Sequence, residues 1–530
     1  MKRAISLLLT TVILFTTGCT SNVAATKRED TATTSASATA NTGYNKYFQG
    51  DKIIDIKINL PQEDYQDMLD NAEDEQYKSA DINFDGTVVE NVGFRTKGNL
   101  TLRSVASAST DSDRYSFRIK LDKYVDGQSL DGLDEFVINN MYSDSSYLRE
   151  YLSYEALRSI GIDTPQCVFA NIYINDELKG LYLCIEAIDD SYIERVFLNT
   201  DGNLYKAEMG SSLVYRENDS YDSLELKMGT DTEKTGLKNM ISILNSIENG
   251  NKGSIEDVLD VDSALKYIAF NYVFSNYDSY QGHNRQNYYL YENNGVFSVI
   301  PWDFNMSFGG STDRSTGTLD MPVDSSDTNS YPLVTKLLSV EEYKEKYYNY
   351  VKELIEYCNT AEDRISTLKK LIYDAVEADP TKFCTTEDFE KATTYSETEN
   401  ANEGNGNNRA PSERPDDNMQ SPPKNSDENM TAPPKNGDEK MPVPQENGQD
   451  SIPVPPDSEE NRGNGRPDRP GGTDGTDGNR QTPPKDFESD KDNSGHNGQG
   501  VKSMMHNNSS SIVNFIRNRI DTVNAELSKI

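Results

Sequence analysis

Between about Glu397 and Gly500 the chain is almost wholly Pro, Asn, Gly, Asp, Glu, Ser, Lys and Arg, with PPK and PxP fragments recurring without period. Such a stretch cannot bury enough apolar surface to order itself, and it is read as disordered. Beyond it, Ile512, Val513, Phe515, Ile516, Ile520, Val523 and Leu527 recur at helical spacing behind a serine run that can cap. The polar segment, assigned to residues 397–507, is therefore an insertion and not a tail. The core must come from the residues before it together with a closing helix over 508–530. Hydrophobic residues make up only 35% of the 530, which fits one large domain plus disorder.

Charge excludes some partners. The 88 acidic against 52 basic residues give a formal charge of -36, and no basic run is segregated from it, so nucleic acid is not an expected partner. The chain opens with Met1-Lys2-Arg3, an apolar run from Ala4 to Phe15 and then Thr16-Thr17-Gly18-Cys19. That run is too short to span a bilayer and has the layout of a signal peptide, 1–19. Its end resembles a bacterial lipoprotein cleavage site, which would leave Cys19 lipidated and the protein anchored to the lipid bilayer facing outward, with residues 20–46 as a flexible tether. Of the remaining cysteines, Cys167 and Cys184 lie on consecutive predicted strands; buried free thiols are expected in preference to a cross-strand disulfide.

The apolar period divides the folded part. Alternation at Ile54, Ile56, Ile58 and Leu60, then Ile82 and Phe84, Val92 and Phe94, and Phe117, Ile119 and Leu121 predicts a β-rich region over 47–189. Within it, Asp144 and Ser145 can cap a helix carrying Leu148, Tyr151, Leu152, Ala156 and Leu157 that stops at Gly161. Strands at 168–174 and 181–185 follow, joined through Asn175-Asp176. From 190 to 396 the pattern is mainly helical, at 190–198, 233–247, 262–275, 340–357 and 361–378, interrupted by a hairpin with strands at 288–291 and 296–300.

Elimination narrows the chemistry. Of three histidines only His283 lies in the folded region, which leaves almost no material for His-based zinc sites or Ser-His-Asp triads. Neither a GxxxxGK[ST] phosphate loop nor a GxGxxG fingerprint occurs after a strand. The densest polar constellation is Ser275 to Tyr291, followed by Ile300-Pro301-Trp302-Asp303-Phe304-Asn305. A loop Asp, an Asn just before a hairpin and an Asp just after it are the parts phosphoryl transfer uses: a carboxylate to accept the hydroxyl proton, an amide and a second carboxylate to hold Mg²⁺ against phosphates.

At these residues the chain resembles the CotH spore-coat kinase family. The NxD…HNYYLY and IPWDxD signatures appear as Asn276-Tyr277-Asp278, Asn287-Tyr288-Tyr289-Leu290-Tyr291 and Ile300-Pro301-Trp302-Asp303-Phe304-Asn305. Further family-like stretches are Phe94 to Asn99, Ser116 to Lys120 and Gly180 to Asp189. Asn305 stands where the family has a second acidic residue, and Gln286 where it has His. The resemblance implies an α+β, atypical protein-kinase-like two-lobe fold that binds ATP with Mg²⁺ or Mn²⁺ and phosphorylates Ser or Thr of surface or spore-coat proteins. Carried over, Asp278 is the general base and Asp303 the main metal ligand, with Asn287 as the amide ligand and Asn284 its competitor. Lys120 and Glu150 fit the kinase Lys and its orienting Glu, with Lys206 and Arg118 as rivals, and Lys97-Gly98-Asn99 reads as a turn approaching the phosphates. Ile185-Glu186-Ala187 occupies the place of the hinge that meets adenine. Two other readings stay open: a scaffold of the same fold without activity, consistent with Asn305, and a binding module that uses the Pro-rich insertion.

Overall fold

The alternation of apolar and polar residues in the first half closes a barrel. In the computed structural model, which describes residues 43–107, 112–310, 317–397 and 510–530, seven strands pair in the order β1-β2-β3-β4-β5-β7-β6 and β1 returns parallel to β6. They are β1 Ile53–Asn59, β2 Lys78–Phe84, β3 Thr87–Lys97, β4 Ser116–Lys120, β5 Glu135–Asn139, β6 Cys167–Ile174 and β7 Glu177–Glu186. One face of each strand fills the barrel with Ile56, Ile82, Phe94, Phe117, Ile119, Phe136, Ile138 and Cys184. The other face, with Lys97, Arg118, Val137 and Asn139, looks outward, because side chains alternate along a strand. Asn175 and Asp176 turn β6 into β7 with φ of 49° and 65°, the left-handed pair a tight hairpin demands.

A second core lies outside the barrel. It is built by α4 (Arg149–Ser159), α5 (Asp190–Phe197), α6 (Thr235–Asn245), α7 (Val261–Val273), α8 (Pro332–Leu337), α9 (Glu341–Ala378) and α10 (Thr386–Ala392), and by α11 (Ile512–Leu527) from the far side of the polar segment. Three short helices, α1 (Asn45–Phe48), α2 (Gln62–Asp70) and α3 (Leu100–Ser107), belong to the barrel. The second region also holds a four-stranded sheet in the order β11-β10-β8-β9, made of β8 Asn203–Ala207, β9 Leu224–Met228, β10 Tyr288–Asn293 and β11 Val296–Pro301. The molecule is thus mixed α+β.

Several expectations need correction. The region after residue 190 contains two strands, β8 and β9, that the helical reading passed over. Each is five residues long; β8 draws its order from β10, a partner distant in sequence, and β9 pairs on β8. The two helices expected at 340–357 and 361–378 are one 38-residue helix. No Gly or Pro stands between them, and the buried stripe runs on through Leu354, Cys358, Ala361 and Ile365. The tether ends before residue 46, since Tyr44 is fully buried and its hydroxyl donates to Glu186 Oε1 at 2.6 Å. The described cysteines are free: Cys167 belongs to the outer core and Cys184 to the barrel interior. The signal peptide, most of the tether and the insertion lie outside the described residues.

Candidate active site

The loop that carries Asp278 begins where α7, buried around almost its whole circumference, runs out of helix. Ser275 adopts a φ of 47°, and Asn276 folds back to bond Asn271 through both backbone and side chain, each at 2.9 Å. Ser279 Oγ donates to the Asn276 carbonyl at 2.6 Å. Gly282 closes the loop, for a Cβ there would stand 1.6 Å from the Tyr277 carbonyl oxygen, a place only glycine can occupy. Asp278 projects from this loop with its carboxylate held by two neutral amides: Gln286 Nε2 donates to Oδ1 at 2.8 Å and Asn287 Nδ2 to Oδ2 at 3.1 Å. Asn287 Nδ2 also donates to the Asp278 carbonyl at 2.7 Å, which commits the amide nitrogen and leaves Oδ1 as the free donor atom for a cation.

Hairpin register brings the next carboxylate alongside. Tyr288 pairs with Pro301 across β10 and β11, so Asn287 and Trp302 leave the same end of the hairpin and Asp303 comes next. Asp303 has a φ of 62°, a conformation Asp tolerates better than most residues and one that collects at functional sites. Phe304 fixes it, wedged edge-on to Tyr154 at 5.4 Å and to Phe270 at 5.0 Å between centroids. Trp302 is buried, edge-on to Tyr289 at 6.1 Å, as a core anchor. Asn305 is half-buried, and its Nδ2 lies 3.5 Å from the Tyr142 carbonyl.

The third part comes from the outer face of the barrel. Lys97, the last residue of β3, lies opposite Ser116, and the β4–β5 register carries the row on to Asn139. Lys97 Nζ donates to Asn139 Oδ1 at 3.0 Å, and Asn139 Nδ2 donates to Glu150 Oε2 at 2.8 Å. Tyr154, one turn along α4, donates its hydroxyl to Glu150 Oε1 at 3.2 Å and receives a bond from the Asp303 backbone. An amide therefore links lysine to glutamate, and a tyrosine links the glutamate to the Asp303 loop.

The charges respond to one another. Burial, with the nearby Asp303 charge second, raises the Glu150 carboxyl to about 7. Burial also raises Asp303, which Lys97 and Lys206 counter and Asp278 reinforces. Lys97 is lowered, by burial first, against the pull of Asp303 and Glu150. Each direction follows from charge held where burial keeps water away.

Three of the residues singled out from the sequence stand elsewhere. Lys120 lies four residues along β4 from Ser116, roughly 13 Å from the Lys97 row at strand spacing, and pairs with Asp122 at 3.4 Å. The lysine that shares a partner with Glu150 is Lys97, at the end of its strand and not in a turn. The rivals divide: Arg118 pairs with Glu135, whereas Lys206 bonds Glu208 at 2.6 Å and still acts on Asp303. Glu186 is fully buried toward the barrel interior, bonded by Arg195, Tyr44 and the Gln166 amide, so its side chain cannot reach a ligand. Asn284 is exposed, and its carbonyl accepts from Gly210 N at 2.7 Å. Asn139 and Tyr154 escaped the sequence reading. The only trace of Asn139 was a polar residue on the outward face of a strand whose neighbour on that face is Val137.

Whether a divalent cation fits can be judged from the donors. Among the described residues no three His, Cys, Asp or Glu side chains cluster into a metal cage. Asp303 and Asn287 offer hard oxygens at the same hairpin end, the sparse protein share typical of Mg²⁺ held partly by phosphates. The donor set fits that role.

The family model for CotH kinase protein matches residues 94–404, more than half the chain, and the protein belongs to the CotH family. Among its relatives, Inner spore coat protein H of Bacillus subtilis is 28% identical over 275 residues, covering 49% of this chain and 74% of that protein. Spore coat protein homolog 1 of Rhizopus delemar is 23% identical over 249 residues, 44% of this chain and 40% of the fungal protein. Invasin CotH7 of the same fungus is 22% identical over 246 residues, 44% of this chain and 41% of its own length.

Proposed function

We propose that the chain is an atypical protein kinase that transfers the γ-phosphate of ATP to Ser or Thr of proteins outside the membrane, on the cell surface or the spore coat. The observation that carries this reading is the convergence of Asp278, Asn287 and Asp303 on one side with the Lys97–Asn139–Glu150 chain on the other. The barrel then serves as the small lobe and the helical region as the large lobe of a two-lobe, kinase-like arrangement. Names of the bacterial relative and of one fungal relative, both spore-coat proteins, support the setting. The lipoprotein-like N-terminus supports export and anchoring through Cys19.

In this reading Asp278, whose carboxylate is held by the neutral amides of Gln286 and Asn287, takes the proton of the substrate hydroxyl. That oxygen forms a bond to the γ-phosphorus as the bond to the β,γ-bridging oxygen breaks and ADP leaves. Lys97 offers its ammonium to the phosphates, and Asn139 and Glu150 hold it there. Asp303 and the Asn287 amide oxygen would hold Mg²⁺ or Mn²⁺, which supplies positive charge to the phosphate oxygens.

The test is transfer of label from γ-labelled ATP, with either metal, to the chain itself or to a generic protein substrate. Transfer that Asp278→Ala and Asp303→Ala both abolish is expected. A folded parent that transfers nothing with either metal would instead favour the scaffold reading, for which Asn305, in place of a second acidic residue, is the supporting feature.

A further inference from the structure

The helix α11 lies beyond the part of the chain that the family model covers, which ends at residue 404. It nevertheless rests on both segments of the candidate active site. Arg519 Nε donates to the Val273 carbonyl at 3.0 Å and Arg519 Nη2 to the Tyr272 carbonyl at 2.6 Å, with the guanidinium 4.4 Å over the Tyr272 ring. These carbonyls belong to the last turn of α7, five and six residues before Asp278, where the regular helical bonding ends; the Tyr272 carbonyl also accepts from Ser275 N at 3.3 Å. Seven residues along, Glu526 Oε2 accepts from the Tyr272 hydroxyl at 3.0 Å and from Leu319 N at 2.6 Å.

The Asp303 segment meets the same helix. Phe515 packs on Phe308 at 6.0 Å between centroids, and a Cβ at Gly309 would come within 3.0 Å of the Phe515 ring. Phe308 packs in turn on Phe274 at 4.8 Å, and Gly309 N bonds the Phe274 carbonyl at 3.4 Å. The two segments that carry Asp278 and Asp303 are clipped together at Phe274 and Gly309, and α11 covers the clip.

We propose that α11 is a positioning element of the active site and that Arg519 is its main positioning residue, fixing the carbonyl end of α7 from which the Asp278 loop departs. Its catalytic half rests on the phosphoryl-transfer reading; its positioning half does not. Arg517 is the internal control. It sits on the same helix but pairs with Glu362 of α9, at 2.5 and 2.7 Å, and touches neither segment.

The experiment compares Arg519→Met, Arg519→Lys and Arg517→Met in the full chain, well below the melting temperature of each. Backbone amide exchange over 274–287 is expected to speed up about tenfold or more in Arg519→Met, with partial recovery in Arg519→Lys and no change in Arg517→Met. Transfer activity of Arg519→Met should fall about tenfold in kcat with the ATP KM within about twofold, as misplacement of a general base predicts. Exchange over 274–287 that is alike in Arg519→Met and Arg517→Met would overturn the proposal. A parent that transfers no phosphate, with exchange altered as expected, would sink the kinase reading and uphold the positioning role.

Discussion

Asn139 joins two groups of opposite charge that a direct ion pair would otherwise bring together. Asn139→Leu keeps the volume but removes both bonds, leaving Lys97 and Glu150 short of a partner at a cost of about 1–3 kcal/mol for each buried group. The expected outcome is a lower melting temperature together with an ATP KM raised about tenfold, read from thermal melts and initial rates. Glu150 carries a second residue-scale prediction. Its carboxyl titrates near 4.5 when unfolded and is held at about 7 in the native protein, facing Asp303, Lys97 and Tyr154. The native state therefore binds the extra proton, and its stabilising contribution is complete below 4.5 and lost as pH rises to 7. Stability of the metal-free protein should fall across that window by an amount of the order of 3 kcal/mol. Glu150→Gln should flatten the fall; urea midpoints that keep the same pH slope would exclude this assignment. The meeting of Asp278, Asn287 and Asp303 was legible from residues alone, since all three flank one hairpin. The link of Lys97 to Glu150 was not, because Lys97 and Lys120 both end strands on the outward face and only their register tells which end meets α4.

Elements are held by a few deep contacts. Phe304 is fully buried between α4 and α7, so Phe304→Ala should cost about 3–5 kcal/mol and loosen the Asp303 turn, measured by denaturant midpoints and by the metal dependence of any transfer. Arg114 ties the barrel to the residues after α9. Its guanidinium donates to Asp379 at 2.9 and 3.1 Å and to the Leu181 carbonyl at 2.6 Å, wholly buried and 4.3 Å over the Tyr182 ring. Arg114→Met would strand the Asp379 carboxylate, which also accepts from Leu181 N at 3.0 Å, and should destabilise by about 3–5 kcal/mol. A loss under 1 kcal/mol in equilibrium unfolding would show that the pair relaxes to water. Strong amphipathic periods made α5, α6 and α11 readable, whereas α2 and α3 were missed, short helices set among strands whose order depends on the barrel they cover.

At the scale of the whole molecule, the chain leaves the described fold at residue 397 and re-enters at 510 in nearly the same place. Ser396 exchanges bonds with the Asn514 side chain at 2.9 and 2.7 Å, and Ser511 Oγ donates to the Thr394 carbonyl at 2.6 Å. Replacing residues 398–509 by about six Gly and Ser residues should therefore preserve the fold. It should also stabilise it by roughly 2–3 kcal/mol, since a shorter loop costs less entropy to close. A drop in melting temperature would mean that the segment contributes contacts of its own.

By itself the sequence determined the composition break, the alternation that demands a sheet, the closing helix and the cluster of Asp and Asn around one hairpin, because each is a local pattern of residue type or spacing. Tertiary structure alone decided that the strands close into a barrel, that Lys97 and not Lys120 shares Asn139 with Glu150, that Glu186 turns inward to Arg195, and that α11 comes back across the polar segment to cap α7. Those outcomes depend on strand register and on contacts between residues far apart in the chain, which local propensity does not encode.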